Sequence, residues 1–198
     1  MRSVGILIFD EVEVLDFCGP FEVFSVARRP GETDRDPALF RVVTIAERPG
    51  TVRSVGGLLV EPHFTFSDAP QPDILVVPGG MGTRRERLNS AMIAWIRERD
   101  RATEITASVC TGAFLLAEAG LLDRLRATTH WSTLEWMREQ YPAVEMVSGT
   151  RYIDEGHIVT AAGISAGIDM SLHLVARLEG PETATWTARR MEYNWREA

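Results

Sequence analysis

The sequence predicts an α/β layered fold with a mostly parallel sheet, on three observations. Uninterrupted apolar runs of strand length at residues 4–9 and 74–77 have the pattern of strands covered on both faces, as in a parallel sheet. Segments with helical spacing of apolar residues, at 89–101 and from 162 onward, alternate with such runs, the order that builds strand–helix–strand units. Residues 104–117 form a short β-prone run that breaks at Cys110 and restarts as an alanine- and leucine-rich helix. A side chain on so sharp a turn is pushed out at the carboxyl end of a sheet.

Each element follows in order. Residues 4–9 give the first strand; Gly19-Pro20 then ends one local conformation, and Pro20 suits the first turn of a helix over 21–28 with Phe21, Val23 and Phe24 inward. A polar loop containing Pro and Gly covers 29–37, a second strand 40–46, and a hairpin 51–60 with Gly56-Gly57 at its middle. The run 73–77 stops in the loop Pro78-Gly79-Gly80-Met81-Gly82, whose backbone N–H groups lie where open α/β sheets place ligands. That loop has neither G-x-x-x-x-G-K-[ST] nor G-x-G-x-x-G, so nothing in it specifies a nucleotide. The helix over 89–101 places Met92, Ile93, Trp95 and Ile96 on or near its apolar stripe, and the helix after Cys110 ends at Gly120. Short strands are expected at 126–129, 144–147, 152–154 and 158–161, with a turn at Glu155-Gly156 and a helix over 131–141 stopped by Pro142. A long helix opens at Ala162 with Ile164, Ile168, Leu172 and Val175 at helical spacing, and the last covers 181 to about 193.

A chain of 198 residues fits one domain, 1–198, and can bury a sizeable core. Every basic residue is Arg, and the net charge of −7 disfavours a broad phosphate-binding surface, so no nucleic-acid partner is expected. Arg84, Arg85, Arg87, Arg97, Arg99 and Arg101 are interleaved with Glu86, Glu98 and Asp100, the pattern of a solvated helix face. The N-terminus carries no cleavable leader pattern and no apolar run is long enough to span a bilayer, so a cytoplasmic protein without a membrane partner is expected. In that compartment Cys18 and Cys110 are expected as separate thiols, with Cys18 serving packing.

Cys110 reads in two ways. Gly112 lets the backbone turn tightly, and N–H groups at the start of the following helix favour thiolate over thiol near neutral pH; a lone Cys after a strand is also commonly a small buried hydrophobe. His63 and His157 sit in turn contexts, His173 lies one helical turn after Asp169 and is expected to pair with it, and no H-x-x-x-H or Cys/His ligand spacing occurs, so no metal is expected.

Five stretches in order, Leu15-Asp16-Phe17-Cys18-Gly19-Pro20, Pro78-Gly79-Gly80, Ser108-Val109-Cys110-Thr111-Gly112, Ala127-Thr128-Thr129-His130-Trp131 and Ala162-Gly163-Ile164-Ser165-Ala166-Gly167-Ile168-Asp169, resemble the motifs of the ThiJ/PfpI superfamily, and within it the isonitrile hydratase branch. The resemblance implies a flavodoxin-like three-layer sandwich with a nucleophile-elbow cysteine, a homodimer, no cofactor, and a small-molecule substrate attacked by Cys110. It makes Asp16 the acidic partner of the sulfur and Thr111 a further catalytic residue. The Gly80 and Thr111 amides would form an anion-stabilising pocket, with Gly79, His130 and Ile164 as the remaining contact positions. Each keeps a plainer role beside this: Asp16 as helix cap or surface acid, Thr111 as the start of a helix, His130 hydrogen-bonded in place.

Protease-like members of the superfamily carry His directly after the Cys, whereas this chain has Thr111 there, which argues against peptidase or glutamine amidotransferase chemistry. The implied reaction is hydration of an isonitrile through a thioimidate on Cys110. Two alternatives belong to the same resemblance: a free-standing metabolite sensor related to AraC-type regulators, and a glyoxalase or redox-stress member. The end of the chain at Ala198, without a helix-turn-helix segment, favours the enzyme in this reading.

Overall fold

The computed structural model describes residues 1–195. From the N-terminus, β1 (Arg2–Leu7) leads to α1 (Val14–Val26), then β2 (Phe40–Ala46), the hairpin of β3 (Val52–Arg53) and β4 (Leu59–Val60), and β5 (Phe64–Thr65). The centre holds β6 (Ile74–Val77), α2 (Thr83–Glu86), α3 (Ser90–Asp100), β7 (Ile105–Val109), a 3₁₀ turn (Cys110–Gly112) and α4 (Ala113–Glu118). The remainder is β8 (Arg126–Ala127), a second 3₁₀ turn (Trp131–Thr133), α5 (Leu134–Gln140), β9 (Glu145–Met146), β10 (Tyr152–Asp154), β11 (Ile158–Ala161), α6 (Ala166–Glu179) and α7 (Pro181–Arg190).

Seven strands form one sheet in the order β10-β11-β7-β6-β1-β2-β5. All its pairings are parallel except β10 with β11 at one edge. Every residue of β6, β7 and β11 is buried, so both sheet faces are covered, as the apolar runs predict. One cover is α1, α6 and α7, packed together; the other is α2, α3 and α4. Ile74, Leu75, Val76 and Val77 are wholly shielded, each contributing about 1.5–3 kcal/mol by leaving water.

Local expectations fail in three elements. The first helix begins at Val14, seven residues before Phe21, and Pro20 lies inside it. Pro20 cannot donate to the Asp16 carbonyl, yet the preceding turn forms because tertiary contacts hold it: the Glu13 amide donates to the Gly79 carbonyl at 2.9 Å and Gly79 N–H to Asp16 Oδ2 at 3.0 Å. Within that helix Val23 and Phe24 are buried as expected, while Phe21 is half-buried and stacks on His63. The strand expected at 126–129 stops at Ala127 and pairs with β9 in a separate two-stranded sheet, because Thr128 N–H turns to Thr160 Oγ1 at 2.9 Å. The long helix starts at Ala166, leaving Ile164 outside it in a left-handed conformation with φ 50°.

The arginine run is a solvated face in part: Arg85 pairs with Glu11 and Glu86, Arg87 pairs with Glu118, and Arg99 lies over the Trp95 ring. No helix among the described residues is long and apolar enough to cross a membrane.

Candidate active site

The chain leaves β7 at its carboxyl end, and the next residue, Cys110, takes φ 55°. A non-glycine residue there is strained by about 1–3 kcal/mol and persists only where its surroundings over-determine it. Here they do: Cys110 N–H donates to the Ala162 carbonyl at 3.0 Å, and its own carbonyl accepts from Thr129 Oγ1 at 2.7 Å. The strained residue of the turn is therefore the cysteine. Gly112 has ordinary helical angles and is needed for space, since a Cβ there would sit 2.0 Å from the Val77 carbonyl oxygen.

Asp16 comes from the second residue beyond the start of α1 and is completely buried. Oδ2 accepts the Gly79 amide at 3.0 Å, while buried Oδ1 lacks a well-aligned donor; the Cys110 side chain is within hydrogen-bonding reach of the carboxyl. Gly79 is glycine because a Cβ would lie 2.5 Å from the Thr111 amide and 2.8 Å from Asp16 Oδ2. On the other side, Thr111 Oγ1 accepts the Gly80 amide at 3.0 Å. This corrects the expected anion pocket, because the Gly80 N–H is already engaged. The amides that reach the sulfur are those of Thr111 and Ile164, joined by the Thr111 hydroxyl.

The protonation states follow from burial. Desolvation is the largest influence on Asp16 and outweighs the Gly79 hydrogen bond; with the nearby Glu13 charge it lifts the carboxyl to about 7. Burial and the Asp16 charge push the Cys110 thiol up to about 12, against the hydrogen bonds from Thr111 and Ile164. Burial therefore works against the thiolate that the helix start was expected to favour. The cysteine is 6% exposed, and it opens a 3₁₀ turn followed by a helix of six residues, too short for a strong dipole to offset the lost solvation.

A stability prediction follows. The carboxyl's folded value, about 7, lies above its ordinary value of 3.8, so the native state holds the proton more tightly between these limits and loses stability as pH rises through them. The loss, of order 4 kcal/mol in all, is complete above about pH 7. Asp16→Asn keeps an acceptor for Gly79 and carries no charge. Urea unfolding at pH 5 and pH 8 should show the native protein losing about 3 kcal/mol more than the variant, the part of the window that lies above pH 5; parallel losses would mean that the carboxyl is not desolvated as described.

The sulfur opens into a cleft of about 190 Å³ bordered by Gly80, Thr111, His130 and Ile164, all read from the sequence, and by Glu13, Met81 and Arg84, which sequence reasoning missed. Arg84 immediately follows the first residue of α2, just beyond the glycine loop, a position that could have flagged it; its guanidinium donates to the Gly80 carbonyl at 3.1 Å and lies over the Phe114 ring. Gly79 borders no part of the cleft and acts behind it. The His130 ring makes a 2.8 Å hydrogen bond through Nδ1 to Ser132 Oγ, and Gly163 packs against its other edge. Past His130 and Ile164 a groove of about 390 Å³ continues to Trp131, which is 78% exposed.

The other histidines lie elsewhere: His63 bonds Thr44, His157 pairs with Asp100, and His173 pairs with Asp154. The expected His173–Asp169 pair does not form because Asp169 is engaged by Arg151 and Tyr193. Cys18 is free and half-buried, and burial raises its pKa. Among the described residues no three His, Cys, Asp or Glu side chains converge in a way that could hold a metal.

The sequence profile of the DJ-1/PfpI family matches residues 2–177. An isonitrile hydratase of Pseudomonas putida is 33% identical over 192 residues, 96% of this chain and 78% of that protein. The HTH-type transcriptional regulator GbdR of Pseudomonas aeruginosa is 30% identical over 91% of this chain but 48% of the regulator, so the chain spans about half its length. The crystal structure of a ThiJ/PfpI family protein from Pseudomonas syringae matches with a TM-score of 0.86 over 98% of this chain and 75% of that one, at 27% identity.

Proposed function

We propose, from the premise that this chain belongs to the DJ-1/PfpI family, that it is a cysteine-dependent hydro-lyase converting an isonitrile and water into an N-substituted formamide. The observation that carries this reading is that Cys110 borders a small cleft while the Asp16 carboxyl, buried behind it, lies within reach of its thiol. The similarity to an isonitrile hydratase supports the choice of substrate.

Two ionisable groups this close titrate as a pair. With one proton removed, the pair is either carboxylate with thiol or carboxylic acid with thiolate; the two forms hold the same number of protons and exchange by one transfer. Attack of sulfur on the terminal isonitrile carbon uses the second form. Cys110 forms the S–C bond, Asp16 gives its proton to that carbon, and the product is a thioimidate, R–N=CH–S–Cys. Asp16, now a carboxylate, takes a proton from water as its oxygen adds to the same carbon. Asp16 then passes that proton to the nitrogen, the C–S bond breaks with its electron pair going to sulfur, and the proton of the added hydroxyl moves to sulfur, so that the formamide leaves as the thiol re-forms. Thr111 and the Ile164 amide serve the sulfur, and His130 and Gly80 shape the cleft around the substituent.

The pair loses its first proton near pH 7, so kcat/KM should rise as pH passes through that value and hold into the alkaline range. A profile flat from about pH 5 to 9 would remove Asp16 from the proton path. The decisive assay offers purified protein, its mass checked by light scattering for the homodimer this reading includes, a panel of small isonitriles beside methylglyoxal, with Cys110→Ala as control. Formamide from the isonitriles alone is expected; consumption of methylglyoxal alone would replace the hydratase with the glyoxalase alternative.

A second reading, a metabolite-sensing domain, is favoured by the similarity to GbdR. It is distinguished by a ligand that raises the melting temperature and is recovered unchanged.

A further inference from the structure

The cleft beside Cys110 is bordered by two charged side chains, Arg84 and Glu13, which form no ion pair with each other or with any other group among the described residues. The neighbours of Arg84 in the arginine run are neutralised, Arg85 by Glu86 at 2.8 Å and Arg87 by Glu118 at 3.1 Å. Arg84 is instead held by uncharged groups. Nη1 donates to the Gly80 carbonyl at 3.1 Å, and the guanidinium carbon lies 5.6 Å from the centre of the Phe114 ring. A guanidinium has five N–H donors in a planar fork, and that one contact leaves the rest without an acceptor among the described residues. The contact also fixes where they stand. The Gly80 amide bonds Thr111 Oγ1 at 3.0 Å, and Thr111 follows Cys110 in the chain, so the guanidinium is pinned to the Gly80 wall of the sulfur's own cleft. A second unmatched donor borders the same space. His130 Nδ1 accepts the Ser132 amide at 3.3 Å, which puts the proton of the neutral ring on Nε2, and Nε2 has no acceptor among the described residues.

We propose that Arg84 sets the substrate class of this cleft: its guanidinium receives a carboxylate on the substituent of the isonitrile, so small carboxylate-bearing isonitriles are preferred over uncharged ones of equal size. Planar N–H pairs match the two oxygens of a carboxylate, and His130 Nε2 offers a further donor. The cleft holds about 190 Å³, so a substrate with its reactive carbon at the sulfur keeps a short substituent within the same walls. The isonitrile nitrogen carries no ammonium charge, which leaves a carboxylate as the charged group of an isonitrile built on an amino acid. Glu13 repels that carboxylate from its own wall and so favours the Arg84 side. The inference rests on the hydratase reading for the reacting group, but the charge it assigns to the ligand is read by binding, without turnover.

The experiment is isothermal titration calorimetry with N-formylglycine and N-formylglycinamide, two formamides that differ only in carboxylate against amide. Arg84 is exposed at the cleft's rim, so the gain is modest: the native protein should bind N-formylglycine about 10-fold more tightly. Arg84→Gln keeps a neutral donor for the Gly80 carbonyl and should bring the ratio to about one. Arg84→Lys, a point charge without the fork, should keep about a threefold preference. Glu13→Gln should strengthen N-formylglycine binding, and added salt should shrink the native preference. Thermal melting reports that each variant is folded, and Arg84→Met, which still covers Phe114, repeats the comparison should glutamine unsettle the helix. Equal native affinity for the two ligands, a preference that survives in Arg84→Gln or Arg84→Met, or no binding of N-formylglycine at about 10 mM overturns the proposal. Turnover of isocyanoacetate beside isocyanoacetamide separates the two readings. Binding through Arg84 with neither isonitrile converted keeps the carboxylate anchor and removes the hydratase; equal conversion of both with no binding preference does the reverse.

Discussion

Cys110→Ala is expected to leave no measurable conversion of a simple isonitrile, a fall on the order of 10⁴-fold or more, because it removes the atom that forms the covalent intermediate. Asp16→Asn should lower kcat by roughly 10²–10⁴-fold, since its amide can still accept the Gly79 N–H but can carry no proton between sulfur, carbon and water. The two effects should not add. In the proposed mechanism every step taken by Asp16 runs through the Cys110 sulfur or its adduct, so the double variant should be no slower than Cys110→Ala alone. Formamide formation followed by NMR measures all three proteins. Turnover that survives in Cys110→Ala would end the covalent route, and a full additive loss in the double variant would place Asp16 in a separate function. Asp16→Asn should also be the more stable protein at pH 8, as its buried charge is gone, so slow turnover there cannot be put down to unfolding.

The parts of this site that could be read from the chain are those fixed by neighbours in sequence. Cys110 announces itself because a β-prone run breaks and a helix begins there, and Val77 to Gly80 because an apolar strand stops at glycines. What the chain does not reveal is set by groups far apart in sequence. Asp16 and Gly79 are separated by 63 positions, yet their hydrogen bond holds the start of α1 against the rule that Pro20 opens a helix. The state of the sulfur is not legible locally for the same reason: a helix start is visible in the sequence, whereas desolvation depends on what α1 and the Ala162 strand end bring over it. Ile164 shows the limit of periodicity. It shares the spacing of Ile168 and Leu172, but in the structure it stands in a left-handed turn before the helix, 37% exposed, with its amide toward the sulfur.

Gly112→Ala should have the largest structural effect of any single methyl added near this site, and Gly120→Ala, at the other end of the same helical segment, a small one. The two glycines are required for different reasons. Gly120 has φ 72° and nothing within 4 Å of an added Cβ, so alanine there costs only the left-handed conformation, about 1 kcal/mol, or about 2–4 °C in melting temperature for a chain of this size. Gly112 has φ −57°, which any residue adopts, but an added Cβ would lie 2.0 Å from the Val77 carbonyl oxygen and 2.9 Å from that of Pro78. Both are backbone atoms at the end of a central strand, with no rotamer to relieve the clash. The helix must move away from β6, with a loss above about 4 kcal/mol. That movement also draws Thr111 from the Gly80 amide and the sulfur from Asp16, so whatever remains folded should be inactive. Melting curves and isonitrile turnover of the two variants side by side test this. A Gly112→Ala protein that melts within a few degrees of Gly120→Ala and keeps its activity would show that the close approach of the cysteine turn to β6 does not hold the site together.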